Sequence, residues 1–446
     1  MTQSDPSSRS ASAADGKGSA PATGATPFLS EDYVRRLQTP AEFYAAATSL
    51  VNALERELRR VKPRDRGQWR ALELGCGPAH LMRPMSRHFA EINGVDVSQE
   101  MLARARANLD GVDNARLHLA HGTSLEDIDG GAMDFVYSYS VLSNLFSRTD
   151  VFESLLEVAR ILKPGGLARL HFNGLVKVES SAYDAWDGIR FSAGELLEFT
   201  ARNGFQVLAV EGAGTPNLWT TWKRREEDWA ENLVFTATER AEIRRITNTS
   251  GRDPVVPSRG RYASVAITAE GLPEEAGLHH LRVTVGGELA AVTYIGPRDE
   301  SGGQVIHADL PDSDSTGLLP VQLHWTGWPS EISQPISDAA PVRVIAPGPS
   351  VPRIVSVADA ANPSSIQRIE TRRVKVTLEE AARLHELEVY LGGAPVEDLE
   401  RVMTEVRPQR YEVTFHIPEQ LAPGRHKLQM NLGQRRLAPV EVDVVA

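Results

Sequence analysis

The stretch Arg70-Ala-Leu-Glu73-Leu-Gly75-Cys76-Gly77-Pro-Ala-His80, continued by Gly94-Val-Asp96-Val97, decides the fold. A short apolar run ends in an acid, Glu73. Gly75 and Gly77 then give a tight strand-to-helix turn, and a helix is expected to about Phe89. A second apolar strand closes at Asp96, nineteen residues after Gly77. This is the plan of a nucleotide-type site. Glycines let the backbone approach a ligand, a helix N-terminus faces it, and the acid at the next strand tip accepts hydrogen bonds from ribose hydroxyls.

A dinucleotide fingerprint needs a third glycine at position 80, where His80 stands. Glu73 would also repel a phosphate, whereas a carboxylate at this turn suits a cationic ligand. Glu73-Leu-Gly75-Cys76-Gly77 resembles the first motif of class I S-adenosylmethionine (SAM) methyltransferases. SAM carries a sulfonium, an ammonium and a ribose, with no phosphate. The resemblance implies that Glu73 serves the methionine end and Asp96 the ribose. Gly75, Cys76 and Gly77 give the backbone surface, and Val97 and Met101 pack near the adenine. Thr123 stands where relatives carry an adenine-binding acid. Met133-Asp-Phe-Val-Tyr-Ser138-Tyr139-Ser140-Val-Leu142 resembles the fourth motif, whose far end borders the transfer centre and brings Ser138 into the cofactor set. Arg160-Ile-Leu-Lys-Pro164-Gly165-Gly166 resembles the turn that precedes the fifth strand in that family.

Around this core, residues 1–27 are Ser/Ala/Gly-rich and read as a disordered tail. A helix is expected over Ala41 to Arg60. Ser98 and Ser192 read as N-caps, the latter with Glu195 in a capping box. Phe205 to Val210 and Leu218 to Trp222 read as a closing hairpin. The resemblance therefore implies a first domain with an α/β Rossmann-like seven-stranded methyltransferase sheet over residues 28–230. Beyond it the helical period gives way to alternating Val, Thr and Ile punctuated by Gly and Pro, the signature of all-β sandwiches. Leu281-Arg-Val-Thr-Val-Gly286-Gly287 recurs as Leu387-Glu-Val-Tyr-Leu-Gly392-Gly393. Two immunoglobulin-like units follow, 240–346 and 352–446, joined by a proline-stiffened linker. The first resembles the IPT/TIG folds. The pair His279-His280 is expected at a solvated strand edge, and Trp325 between sheets.

The net charge of −11 argues against non-specific nucleic-acid binding. No apolar run reaches the roughly 18–20 residues of a membrane span, and the N-terminus lacks a secretory pattern, so a cytoplasmic location is expected. Cys76, the one cysteine, excludes an internal disulfide, and no metal is expected. Tyr139, Asn144 and His171 are the candidates for the transfer centre; none carries a base assignment. The expected function is methyl transfer from SAM to an O or N atom of a small-molecule or glycan-type acceptor. The β units would position the acceptor, bind a protein partner or self-associate. The alternative is a non-catalytic SAM-binding scaffold whose β units do the binding.

Overall fold

The computed structural model describes residues 50–445 apart from 61–64, 66, 143–144, 146, 176–188, 216, 230–239, 252, 261, 327–332, 349–350, 361–365, 382 and 406–408. The expected tail, the start of the leading helix and Asn144 lie outside the described residues.

Helix α1 covers 50–58. Strand β1 (Arg70–Leu74) follows, then a short helix α2 (Met82–Met85), β2 (Glu91–Asp96), α3 (Gln99–Asn108), β3 (Ala115–Leu119) and β4 (Met133–Ser138). Helix α4 (Arg148–Ile161) leads into β5 (Leu162–Gly174). A two-residue strand β6 (Arg190–Phe191), helix α5 (Ala193–Arg202), β7 (Phe205–Glu211) and β8 (Leu218–Arg224) complete the region. The helix after Gly77 starts later than expected, at Met82, and a 3-10 turn over Ser86–His88 carries it to the expected end at Phe89. Ala79 takes a left-handed φ of 65°, which delays its start, and Pro84 sits in the first turn, where a missing N–H costs no helical bond. The caps fall where the sequence places them. The Ser98 side chain accepts from Met101 N, and Ser192 and Glu195 form a reciprocal capping box.

β1 pairs in parallel with β2 and β4, β2 with β3, and β4 with β5. β8 inserts antiparallel between β5 and β7. The resulting order, β3-β2-β1-β4-β5-β8-β7, is the expected seven-stranded sheet. It reverses direction of growth at β1/β4, and ligands bind outside the carboxyl ends of the strands at such a switch point.

The C-terminal region is strand-rich, in two parts with one pairing plan. In the first, β9 (Glu242–Asn248) and β14 (Gln304–Asp309) flank β11 (Ser264–Glu270), while β10 (Val255–Pro257) runs parallel to β17 (Ala340–Ile345). In the second, β18 (Arg353–Asp359) and β24 (Arg410–His416) flank β20 (Arg373–Glu379), and β19 (Arg368–Ile369) runs parallel to β27 (Val440–Val444). The second part has its own buried core.

The first part shares a core with the α/β sheet. Gln206 Nε2 on β7 donates to the carbonyls of Glu274 and Ala276 at 2.9 and 2.8 Å. Leu278 N donates to Val207 O at 2.8 Å. His279 and His280 are buried, contrary to the solvated edge expected of them. His279 Nε2 lies 3.1 Å from Thr200 Oγ1 and 3.0 Å from Leu197 O, so helix α5 covers it. Trp325 is buried as expected and stacks on His280.

Charges are sealed into this junction. Glu57 on α1 is fully buried and bonds the guanidinium of Arg60 at 2.9 Å. Burial pushes its carboxyl up, but the positive charges of Arg60, Arg169 and Arg56 outweigh that and hold it below the usual range. Arg169 Nη2 reaches Glu211 at 2.6 Å, and Arg56 shares the same carboxylate at 2.7 Å. Arg60 donates to Ile295 O at 2.7 Å, and the guanidiniums of Arg56 and Arg60 lie 5.6 and 5.2 Å from the Tyr294 ring centroid. Glu57→Gln leaves buried guanidiniums short of countercharge, and chemical denaturation should show a loss of about 3 kcal/mol.

Candidate functional site

A cavity of about 440 Å³ opens at the carboxyl ends of β1, β2 and β4. Of the nine expected cofactor residues, it brings together Glu73, Gly75, Cys76, Gly77, Asp96, Val97, Met101 and Thr123. Ser138 is not among the lining residues. Its hydroxyl donates to Leu74 O at 3.0 Å and ties β4 to β1.

The glycine turn is built for close approach. Gly75 takes φ 68°, and a Cβ there would meet Val141 Cγ2 at 2.2 Å. Gly77 N donates to Asp96 Oδ2 and Ser98 N to Asp96 Oδ1, both at 2.9 Å. Asp96 is thereby oriented with lone pairs left on both oxygens for ribose hydroxyls. Burial nevertheless raises its pKa. Ser140 adopts φ 59°, a rare conformation for a residue with a side chain, at the turn after β4 where the cavity wall bends.

Glu73 is almost fully buried. Burial is the main reason that its pKa rises to about 8, and the nearby Asp96 adds to it. The Tyr137 hydroxyl donates to Oε2 at 2.9 Å and the Met82 N–H also bonds the carboxyl, which softens the rise without cancelling it. Near neutral pH the unliganded side chain is the acid. A cation in the cavity would reverse that, because an opposite charge at close range favours the carboxylate.

Cys76 is buried, and burial followed by the charges of Glu73 and Asp96 pushes its thiol well above the ordinary range. It packs and does not act as a nucleophile. Thr123 Oγ1 donates to Glu153 at 3.0 Å, so its lone pairs face any amine donor. The sequence reading gave less weight to Pro78, Leu81, Ser98, Leu125, Val141 and Leu145, which also line the cavity. They come from loops and helix starts, where no periodic pattern marks a lining residue. His80 lines it too, and burial brings its pKa down to about 4.

Among the transfer-centre candidates, Tyr139 lines the cavity and stacks parallel to Trp219, centroids 5.8 Å apart. His171 is buried behind it, and its Nδ1 accepts from Ser140 N at 3.3 Å. Burial lowers its pKa to about 4. The neutral ring then carries its proton on Nε2 and is a donor, not a base.

Fold and cavity together define a SAM-binding α/β domain, and the similarity to known proteins agrees. Residues 71–166 match the family described as "Methyltransferase domain". The chain thus carries a class I methyltransferase domain, and its cofactor is SAM. A ubiquinone biosynthesis O-methyltransferase of Bradyrhizobium diazoefficiens is 36% identical over 105 residues, 23% of this chain and 38% of that protein. One of Maricaulis maris is 29% identical over 100 residues, 22% and 38%. The chain therefore spans well under half the length of these relatives. Among solved structures, a SAM-dependent methyltransferase of Mesorhizobium loti is similar at 21% identity and TM-score 0.32, covering 40% of this chain and 98% of that one. The cyclase SpnF is similar at 18% identity and TM-score 0.35, covering 41% and 82%.

Among the described residues no group of three or more His, Cys, Asp or Glu could hold a metal. No helix among them is long and apolar enough to cross a membrane. The Glu73 carboxyl titrates at 4.5 ordinarily and at about 8 in the folded chain. Folding therefore favours its protonated form, so its contribution falls as pH rises through that window and levels above it. Thermal melts of the unliganded protein should show wild type losing stability relative to Glu73→Gln across that range.

Proposed function

We propose that the protein is a SAM-dependent methyltransferase acting on an O or N atom of a small-molecule or glycan-type acceptor. The observation that carries this reading is the intact ligand cavity. Glu73, the Gly75–Gly77 turn and Asp96 converge on one space with the chemistry that a cationic nucleoside needs.

Bound SAM would supply an activated methyl group: the acceptor lone pair would form the new bond, the C–S electron pair would stay on sulfur, and the acceptor's proton would pass to solvent. The residues of this chain bind, orient and exclude water. Glu73 provides the buried countercharge, Asp96 holds the ribose, and Thr123 faces the adenine. Val97 and Met101 give apolar packing. Holding the acceptor in line and desolvated supplies most of the acceleration in a reaction of this kind. The two curated relatives are named O-methyltransferases, which favours oxygen as the methylated atom.

The strand-rich regions 240–346 and 352–446 are read as two immunoglobulin-like modules, an assignment supported by their common pairing plan and recurring Gly-Gly hairpins. Their role is to position the acceptor or mediate assembly, in a protein whose methyltransferase domain spans 28–230. The first module is bonded to β7 and to α5, so it moves with the catalytic sheet.

Calorimetric titration with SAM and S-adenosylhomocysteine tests the reading. Micromolar binding by wild type, weakened at least about tenfold in Asp96→Ala, is expected from the loss of charge-assisted ribose contacts. A folded wild type that binds neither ligand would overturn it.

A further inference from the structure

The two strand-rich regions share a pairing plan, so their matching positions can be compared. In the second, β21 (Leu387–Leu391) and β26 (Arg435–Arg436) flank β25 (Gly424–Leu432). Tyr390 lies opposite Gln429, and Arg436 opposite Asn431. Leu428 and Met430 fill the core, which turns Lys427, Gln429 and Asn431 to the other face. A groove of about 340 Å³ runs over that face, lined by Tyr390, Gly393, Lys427, Gln429, Asn431 and Arg436.

The groove has a fixed floor. Gln429 is 9% exposed. Its Nε2 donates to Met430 O and Leu437 O, both at 3.0 Å, and its Oε1 accepts from Arg436 Nε at 2.8 Å. The guanidinium is thereby drawn toward Gln429, with Nη1 and Nη2 left for a ligand. Lys427 stands two residues from Gln429 on the same strand face, about 7 Å along it. Both exposed cations and the half-buried Tyr390 ring border one space.

The protein does not neutralise these charges. Among the described residues no carboxylate forms an ion pair with Lys427 or Arg436, although Glu441 is the strand partner of Lys427. Glu388 borders the Asn431 end, where it accepts from the Tyr390 hydroxyl at 3.3 Å and the Asn431 amide at 3.4 Å. On the other sheet of the same region cations are matched: Arg373 meets Glu400 at 2.6 Å and Lys375 meets Glu412 at 2.8 Å.

The first region supplies the comparison. Thr284 of β12 (Leu281–Val285) pairs with Gln322 of β15 (Gly317–Thr326) as Tyr390 pairs with Gln429. His324 pairs with Pro335 as Asn431 pairs with Arg436. Pro320, two residues before Gln322, takes the place of Lys427. The glutamine is common to both, while the ring and the two cations belong to the second region alone. The pairing plan forms without them, which frees them to serve a ligand.

We infer that this groove binds an acidic glycan, with a uronate carboxylate held by Arg436 and Lys427 and its sugar ring on the face of Tyr390. A guanidinium with both Nη groups available suits a carboxylate in bidentate form. The tyrosine offers an apolar face to a pyranose, and the Asn431 amide offers a donor and an acceptor to its hydroxyls. The inference deepens the acceptor-positioning role proposed for these modules and rests on that reading for its link to methyl transfer.

The test titrates full-length protein calorimetrically with trigalacturonate, galactotriose and inorganic phosphate. Wild type is compared with a Lys427→Gln/Arg436→Gln double variant and with Tyr390→Thr, which installs the first region's residue. Wild type should bind trigalacturonate at least about tenfold more tightly than either other probe. The double variant should lose at least about tenfold, and Tyr390→Thr about three- to tenfold. Added salt should weaken wild-type binding. Unchanged melting and S-adenosylhomocysteine binding mark a folded variant. No trigalacturonate binding by wild type, equal binding of galactotriose, or undiminished binding in the double variant would overturn the inference. Phosphate bound as tightly as trigalacturonate would overturn the glycan class. Failure of wild type to bind S-adenosylhomocysteine would instead overturn the methyltransferase reading. If the double variant does not fold, Tyr390→Thr and the three-probe comparison still decide.

Discussion

A carboxyl group sealed at the end of β1 tolerates two states, the neutral acid or the anion beside a cation. Glu73 is in that position, with the Tyr137 hydroxyl and one backbone N–H as its partners and Asp96 nearby to oppose a second negative charge. The cost of an unpaired buried charge is several kcal/mol, so the site stays neutral until a cationic ligand arrives. The turn at Gly75, the orientation of Asp96 by Gly77 and Ser98, and the bend at Ser140 all serve to leave open the space where such a ligand can reach it.

The row of side chains Glu73, Tyr137, Arg169 and Thr221 on neighbouring strands extends that constraint across the sheet. Tyr137 bonds Glu73 on one side, and its neighbour Arg169 bonds Thr221 and Glu211 on the other. Arg169 and Glu211 are in turn tied to α1 and, through Arg56, Arg60 and Tyr294, to the first β region. A buried ion cluster of this kind contributes more to geometry than to net stability, since burying charges offsets much of their attraction. Here it fixes where α1 and the β region sit against the sheet that carries the cavity. The shared apolar core gives that arrangement its stability.

Much of this was legible in the chain. Glu73, Gly75, Gly77 and Asp96 carry a local spacing that fits a strand-turn-helix-strand unit, and Ser192 with Glu195 three residues on spells a capping box. The strands and the closing hairpin were read from apolar runs punctuated by Gly and Pro, and the resemblance to the methyltransferase motifs implied the seven-stranded sheet. What was not legible depends on faces and on distance in sequence. Ser138 and Tyr137 are neighbours on β4 and point to opposite faces. The tyrosine meets Glu73 while the serine hydroxyl bonds Leu74 O. Arg56 and Glu211 are 155 residues apart, and no local pattern pairs them. His279 read as a strand-edge residue because nothing nearby in sequence announced that α5 would cover it. The helix after Gly77 began late because Ala79 takes a left-handed conformation that the apolar run did not reveal.

The account turns on Glu73 exchanging a proton for a cation. The direct measurement is proton release on SAM binding, from titration calorimetry near pH 7 in buffers of different ionisation enthalpy, wild type beside Glu73→Gln. A carboxyl titrating at about 8 before binding and ionised afterward should make wild type release nearly one proton more per ligand than the variant. Equal proton counts in the two proteins, with SAM bound by both, would show that Glu73 is not the countercharge and contradict the account.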